Sequence, residues 1–181
     1  MSVRVQEIII IKEPDPKIRD EFDKRLIASL LRFLNEVRIN EGFADVPLPR
    51  IKLLTFKEFI DRVGLIAIAL NAYYDRSVET IYLPYVSLEK VEWLLHEFYH
   101  HVQNKRFGES YFPPEELAKP HQKRSYEKEA YRFAEINSPK YEARFREVLK
   151  LHFNIERRLY MRRKLNEKIY EEYIVEFIPK V

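Results

Sequence analysis

The sequence predicts an α+β fold, in which a small mixed sheet is followed by a largely helical C-terminal part. Short segments rich in Val, Ile and Tyr are bounded by Pro, Asp or Ser, as is typical of strands. Longer segments repeat apolar residues every three or four positions, as is typical of helices. One strand-like segment, TIYLPY, comes shortly before a helical pattern. Together these features favour strands first and mainly helices afterwards.

The first third of the chain is predicted to alternate strands and helices. Residues 3–12 are rich in Val and Ile and favour a strand, which ends at a segment with two prolines. Residues 17–40 carry one apolar face and predict a helix. A short strand over residues 51–55 and a short helix over residues 56–63 follow.

The middle of the chain predicts a hairpin and then a helix. Residues 64–74 are apolar and favour a buried strand, and residues 79–85 favour a second strand after a turn at 75–77. Ser87 is a candidate N-cap for a helix that continues to about Lys105. Residues 107–120 contain Gly108 and three prolines, so we expect a loop there.

The last third is predicted to be helical. Residues 125–136 have helical spacing, and this helix is expected to stop near Pro139, because a proline disfavours helical geometry in the residue before it. A charged helix over residues 140–170 and a short strand over 172–178 complete the pattern. A chain of 181 residues suits a single domain over 1–181, with about 140–181 as a helical C-terminal extension.

The composition excludes several classes of protein. The chain contains no cysteine, so disulfides and thiolate ligands are absent and any metal must be held by His, Asp or Glu. No apolar run approaches the roughly 18 residues that a membrane helix needs. The first residues lack the pattern of a secretory signal. We therefore expect a soluble, cytoplasmic protein with no membrane segment; no pattern indicates its oligomeric state.

The segment HEFYH carries the clearest chemical signal. His96 and His100 are four residues apart on a predicted helix, so both imidazoles can reach one zinc ion. Glu97 points elsewhere and is placed to take a proton from a zinc-activated water, as the general base of a metallopeptidase does. A metzincin would place a glycine and a third histidine after the motif. Gln103 and Arg106 occupy those positions and exclude that class.

A third protein ligand is expected on the next helix. Glu127 shares a helix face with Ala130 and Ala134, and these small residues would let the helix approach the histidines closely. We therefore prefer Glu127 as the ligand. Glu129, on a bulkier face, and His121, in the preceding loop, stay open as alternatives.

These segments resemble those of gluzincin zinc metallopeptidases, in particular small ones of the minigluzincin and ImmA/IrrE-like type. The resemblance rests on TIYLPY, HEFYH and EKEAYRFA and covers roughly residues 64–139. It implies a zincin-like fold, a zinc cofactor, Glu127 as third ligand and a peptide or protein substrate. It also implies that TIYLPY is an edge strand before the zinc-binding helix, which aligns an extended substrate by backbone pairing.

The chain departs from this family at one position. An Asp or Asn often stands four residues after the ligand Glu, where this chain has Tyr131, so the partner that would orient His96 or His100 is unidentified. Tyr126, Tyr131 and His121 are candidate donors to the developing oxyanion. His101 follows His100 directly, so its side chain should point about 100° away from that of His100 and not bind the same ion.

Alternatively, the chain could be a catalytically silent zinc-binding module, with a regulatory role or a role in binding protein or nucleic acid. The basic segment 157–164 motivates it. Acidic residues flank that segment, which favours an ordinary solvated helix and makes nucleic acid the less favoured partner.

Overall fold

The computed structural model describes residues 16–64 and 70–163, with side chains to residue 150. The predicted strands at 3–12 and 172–178 lie outside the described residues, as do the side chains of the basic segment. The helices and strands follow in this order: α1 (Pro16–Asn40), β1 (Arg50–Leu54), α2 (Phe56–Val63), β2 (Tyr73–Asp75), β3 (Thr80–Pro84), α3 (Val91–Phe107), α4 (Pro114–Leu117) and α5 (Ser125–Arg163).

The sheet is small and mixed, as predicted, but its order differs from the prediction. The strand order is β1-β3-β2, with β3 parallel to β1 and antiparallel to β2. The TIYLPY strand is therefore central, and its assignment as an edge strand was wrong. The reason is that β3 is apolar on both faces. Ile81 and Leu83 enter the main core, while Tyr82 packs in a second cluster with Leu54 and Phe59.

The prediction of α1 is confirmed, and that of α2 is correct at both ends. The buried face of α1 comes from positions spaced three and four residues apart, namely Leu26, Leu30, Phe33, Leu34 and Val37. The N-terminus of α2 is fixed by a capping box, in which the Thr55 hydroxyl accepts from the Glu58 N–H and the Glu58 carboxylate accepts from the Thr55 N–H.

Two predicted boundaries in the middle of the chain were wrong. In the predicted strand over 64–74, the described residues 70–72 lie outside the sheet, and pairing begins only at Tyr73. Ser87 does not cap a helix: it is buried in a 3₁₀ turn over Tyr85–Glu89, and α3 begins at Val91. The predicted loop between α3 and α5 contains the one-turn helix α4 and two short 3₁₀ turns.

The helix α5 passes through Pro139, contrary to the predicted break. Proline removes one backbone donor. Nearby side chains bond to carbonyls of the preceding turn: Ser138 Oγ donates to Ala134 at 2.6 Å, and Asn137 Nδ2 donates to Phe133 at 2.9 Å. Buried residues also continue past the proline.

The first turns after Pro139 contribute buried residues to the core. Tyr141 and Phe145 are almost fully buried and pack on Phe33 of α1, with ring centroids 6.0 and 5.4 Å away. The packing on α1 therefore holds the part of α5 that follows the proline. Within residues 16–64 and 70–163, no helix is both long and apolar enough to cross a membrane.

Candidate metal centre

The helix α3 presents His96 and His100 to the first turn of α5. The two imidazoles lie one helical turn apart, with their Nε2 atoms separated by 3.1 Å, and both side chains are buried. The opposite face of α3 enters the main core through Leu94, Leu95 and Val102. This packing fixes the direction in which the histidines point.

A third potential ligand atom beside the two histidine nitrogens comes from Glu127, in the first turn of α5. Its Oε2 atom lies 3.3 Å from His96 Nε2 and 3.2 Å from His100 Nε2. Ala130 and Ala134 are completely buried beneath it, so their small side chains permit the close approach of α5 to α3. Among the described residues these three ligand atoms form the group suited to a metal.

The triangle of ligand atoms has the size that zinc requires. Zinc bonds of about 2.0–2.1 Å in tetrahedral geometry place neighbouring ligand atoms about 3.3–3.4 Å apart. The observed sides are 3.1, 3.2 and 3.3 Å. Two histidines and one glutamate also make up a ligand set of catalytic zinc sites, which leaves a fourth position for water or substrate. The residues present therefore fit a zinc ion.

Gln103 orients His100 and was missed by the sequence analysis. Its Oε1 atom lies 2.8 Å from His100 Nδ1 and can only accept, so Nδ1 carries the proton and the Nε2 lone pair faces the centre. Its Nε2 atom donates to the Tyr126 carbonyl at 3.0 Å. The spacing of three residues from His100 is the available signal, but the metzincin pattern assigns this position only to its glycine.

His96 is held by packing instead of a hydrogen bond. Its Nδ1 atom is buried and has no hydrogen-bond partner among the described residues. The Tyr131 ring, at the position where the family often has Asp or Asn, lies over the imidazole with ring centroids 4.3 Å apart. An aromatic contact thus replaces the expected polar partner.

Both carboxylate oxygens of Glu127 are engaged. While Oε2 faces the two ligand histidines, Oε1 accepts from His121 Nε2 at 2.9 Å. Burial raises the pKa of the Glu127 carboxyl, but its polar contacts with His100, His121 and His96 outweigh burial and hold this pKa far below its usual range. The group is therefore a carboxylate, as a metal ligand must be.

The two alternative third ligands have other partners. Glu129 is exposed, and its carboxylate accepts from Tyr111 Oη and from Gln103 Nε2. His121 contacts the outer oxygen of Glu127 and is not part of the three-atom group. The geometry therefore favours Glu127 over both.

Glu97 lies at the cleft and keeps its carboxylate free. It follows His96 directly, so it points away from the triangle. It is 9% exposed and has no hydrogen-bond or ion-pair partner in the described part of the chain. Its charge contributes to raising the pKa values of Tyr73 and Tyr131, which flank it, although burial is the larger cause in both.

The adjacent histidine, His101, faces the sheet and not the centre, as predicted. Its Nε2 atom donates to the Pro47 carbonyl at 2.8 Å, and its Nδ1 atom accepts from Tyr74 Oη at 2.9 Å. Burial, the largest cause, lowers the pKa of His101. This fully buried histidine therefore ties α3 to β2.

The three candidate oxyanion donors lie at different depths. Tyr126 is buried, with its ring between Phe112 and His100. Tyr131 is 41% exposed and lines the cleft. His121 also lines the cleft, but its Nε2 atom is engaged by Glu127. Tyr131 is therefore the most accessible of the three, and its ring contacts His96 at the centre.

The centre opens into a cleft of about 490 Å³. One wall contains the edge strand β2, and the other contains the start of α5 and the segment before it. The lining combines aromatic rings with a few charged groups, as is typical of small-molecule and peptide sites.

Comparison of the chain with protein-family models, with curated proteins and with solved structures finds no match. The resemblance to gluzincins therefore stays a prediction.

Proposed function

We propose that this protein is a zinc-dependent metallopeptidase that hydrolyses peptide bonds of a peptide or protein substrate. The observation that carries the proposal is the triangle of His96 Nε2, His100 Nε2 and Glu127 Oε2, with sides of 3.1–3.3 Å, beside the free carboxylate of Glu97. This arrangement places a ligand set that fits zinc and a carboxylate that could act as general base in the same cleft.

A zinc ion bound by these three residues would lower the pKa of a water molecule to near neutrality and polarise the scissile carbonyl. Glu97 takes the proton as the water attacks, and then gives it to the leaving amine. Gln103 keeps the His100 lone pair directed at the centre. Tyr131, next to His96, is the preferred donor to the oxyanion.

The substrate is proposed to bind along β2. This strand pairs with β3 on one side, and its other side has no strand partner among the described residues. Tyr73, at its start, is exposed and lines the cleft. An extended peptide could add to this edge through main-chain hydrogen bonds, while the cleft selects its side chains. The role of aligning an extended substrate, which the sequence analysis assigned to TIYLPY in β3, is thus proposed for the neighbouring strand β2.

Metal content and three glutamate variants test the proposal. Purified protein should bind one zinc per chain, measured by mass spectrometry of the metal after dialysis. Glu97→Gln should keep the zinc and lower kcat for a fluorogenic peptide library by about 10²–10⁴-fold, since it removes the general base. Glu127→Gln should weaken zinc binding, and the matched variant Glu129→Gln should keep it.

The outcomes separate the assignments. Loss of zinc in Glu129→Gln, with zinc retained in Glu127→Gln, would show that the third ligand is wrong. Unchanged cleavage by Glu97→Gln would show that the base is wrong. A wild-type protein that binds zinc at micromolar concentration but cleaves no peptide would favour the catalytically silent module instead.

A further inference from the structure

One end of the cleft carries positive charge that the described residues do not neutralise. Arg76 immediately follows the edge strand, and Arg124 immediately precedes α5; both line the cleft. No carboxylate of the described residues pairs with either guanidinium. Arg124 instead donates to the carbonyls of Leu117 and Lys119, each at 3.0 Å.

Both arginines are linked to the metal centre through Tyr126. Arg124 precedes Tyr126 by two residues, and Arg76 and Tyr126 both contact the Phe112 ring. The Tyr126 ring lies 5.9 Å from the His100 ring. Arg76, Arg124 and Tyr126 therefore line the same cleft, and Tyr126 contacts a proposed zinc ligand.

Arg76 is held in place by an aromatic platform. Its guanidinium carbon lies 4.2 Å from the centroid of the Phe112 ring, and Phe112 packs edge-on against Tyr126 at 4.9 Å. Stacking on a ring fixes the plane of a guanidinium and leaves its N–H edges free to donate. Such a group binds a carboxylate with little loss of conformational freedom.

The other charged groups of the cleft are already balanced. Arg62 Nη2 lies 3.4 Å from Asp75 Oδ2, which neutralises both. Glu127 belongs to the three-atom group and Glu97 lines the same cleft, so a divalent cation at the centre would compensate both carboxylates. The charge left over in the cleft is that of Arg76 and Arg124.

We propose that the end of the cleft formed by Arg76, Arg124 and Tyr126 binds a carboxylate of the peptide substrate. This inference rests on the proposed peptidase function. The carboxylate belongs either to an acidic side chain or to the C-terminus of the peptide, and the two sources share the same charge and bidentate geometry.

Binding of labelled peptides to zinc-loaded Glu97→Gln protein tests the proposal without turnover. Fluorescein-labelled alanine-based hexapeptides would carry Glu or Gln at one position, each made as free acid and as C-terminal amide. The charged member of the relevant pair should bind about five- to tenfold more tightly by fluorescence anisotropy, as expected of a charge-assisted contact that is partly exposed.

The arginine variants show where that preference arises. Arg76→Gln and Arg124→Gln, alone and combined, should reduce the preference, and the double variant should abolish it. The matched control Arg62→Gln, in the same cleft but paired with Asp75, should keep the ratio of affinities. Circular dichroism checks that each variant is folded.

The pairs of peptides also identify the source. A preference for Glu over Gln in the amide series indicates a side-chain carboxylate, and a preference for acid over amide in the Gln series indicates the C-terminus. Equal affinity for all four peptides, or a preference that survives the double variant, would overturn the inference.

Turnover by the wild-type protein separates this inference from the proposed function. Cleavage of charged and neutral peptides with equal KM would refute the carboxylate site and leave the peptidase intact. Charge-dependent binding without any cleavage would refute the peptidase and leave the carboxylate site intact.

Discussion

Replacing Gln103 by Leu should weaken both the metal centre and the fold, because one buried amide serves both. Gln103 is completely buried and accepts from His100 Nδ1 at 2.8 Å. It also donates to the Tyr126 carbonyl at 3.0 Å. Leucine has a similar volume and can make neither bond, so the substitution removes hydrogen bonding without creating a large cavity.

The expected loss of stability follows from the group left without a partner. The His100 N–H would be buried and unsatisfied, which costs about 1–3 kcal/mol, whereas the Tyr126 carbonyl lies inside α5 and loses only the bond from Gln103. We therefore expect the free energy of unfolding of the zinc-free protein to fall by about 1–3 kcal/mol. Urea denaturation measures this change.

The expected loss of zinc affinity follows from the orientation of His100. Without an acceptor at Nδ1, the imidazole can exchange tautomers and rotate, and its Nε2 lone pair is no longer fixed on the centre. Removing such outer partners costs about 10–100-fold in metal affinity. Competition with a chromophoric chelator measures the dissociation constant.

Asn104→Leu is the matched control on the same helix. Asn104 Nδ2 donates to Tyr74 Oη at 3.1 Å, on the side of α3 that faces β2. This variant should lose stability but keep zinc affinity. If Gln103→Leu binds zinc as tightly as Asn104→Leu does, the orienting role of Gln103 is refuted.

Two further predictions concern stability away from the centre. Pro139→Ala should raise the free energy of unfolding by about 1–3 kcal/mol in urea denaturation, because alanine restores a backbone donor inside α5; no increase would contradict this account of the proline. Glu58→Gln tests a pH dependence. The hydrogen bond from Arg19, the largest cause, lowers the pKa of Glu58 from 4.5 to about 2. The wild type should therefore lose stability relative to the variant as the pH falls from about 4.5 to about 2. Because Glu58 is 42% exposed, solvent screening limits the difference at pH 7 to about 1 kcal/mol. A difference that persists unchanged at pH 2 would refute the ion pair as its source.

The sequence predicted features that depend on neighbours along the chain. The apolar spacing of α1 and the Thr55–Glu58 capping box are local signals, and both elements occur where they were expected. The preference for Glu127 over Glu129 also came from local spacing, because two alanines mark the face that approaches another helix. The structure brings Glu127 to the histidines and gives Glu129 other partners.

The features that could not be predicted depend on contacts between distant segments. The position of β3 in the middle of the sheet is set by its pairing with β1, some 30 residues earlier. The passage of α5 through Pro139 accompanies burial of Tyr141 and Phe145 against α1, which local propensity does not include. In both cases long-range packing outweighs the local signal.

The charge balance of the proposed centre explains why a neutral amide is suited to orient His100. Glu97 and Glu127 already supply two negative charges in a buried site, which one zinc ion would balance. A third carboxylate, in place of Gln103, would add a buried charge without compensation, at a free-energy cost of several kcal/mol. Gln103 accepts from His100 without adding that charge. The positive charges of Arg76 and Arg124 are then not needed to balance the carboxylates of the centre, and they stay available to bind the substrate.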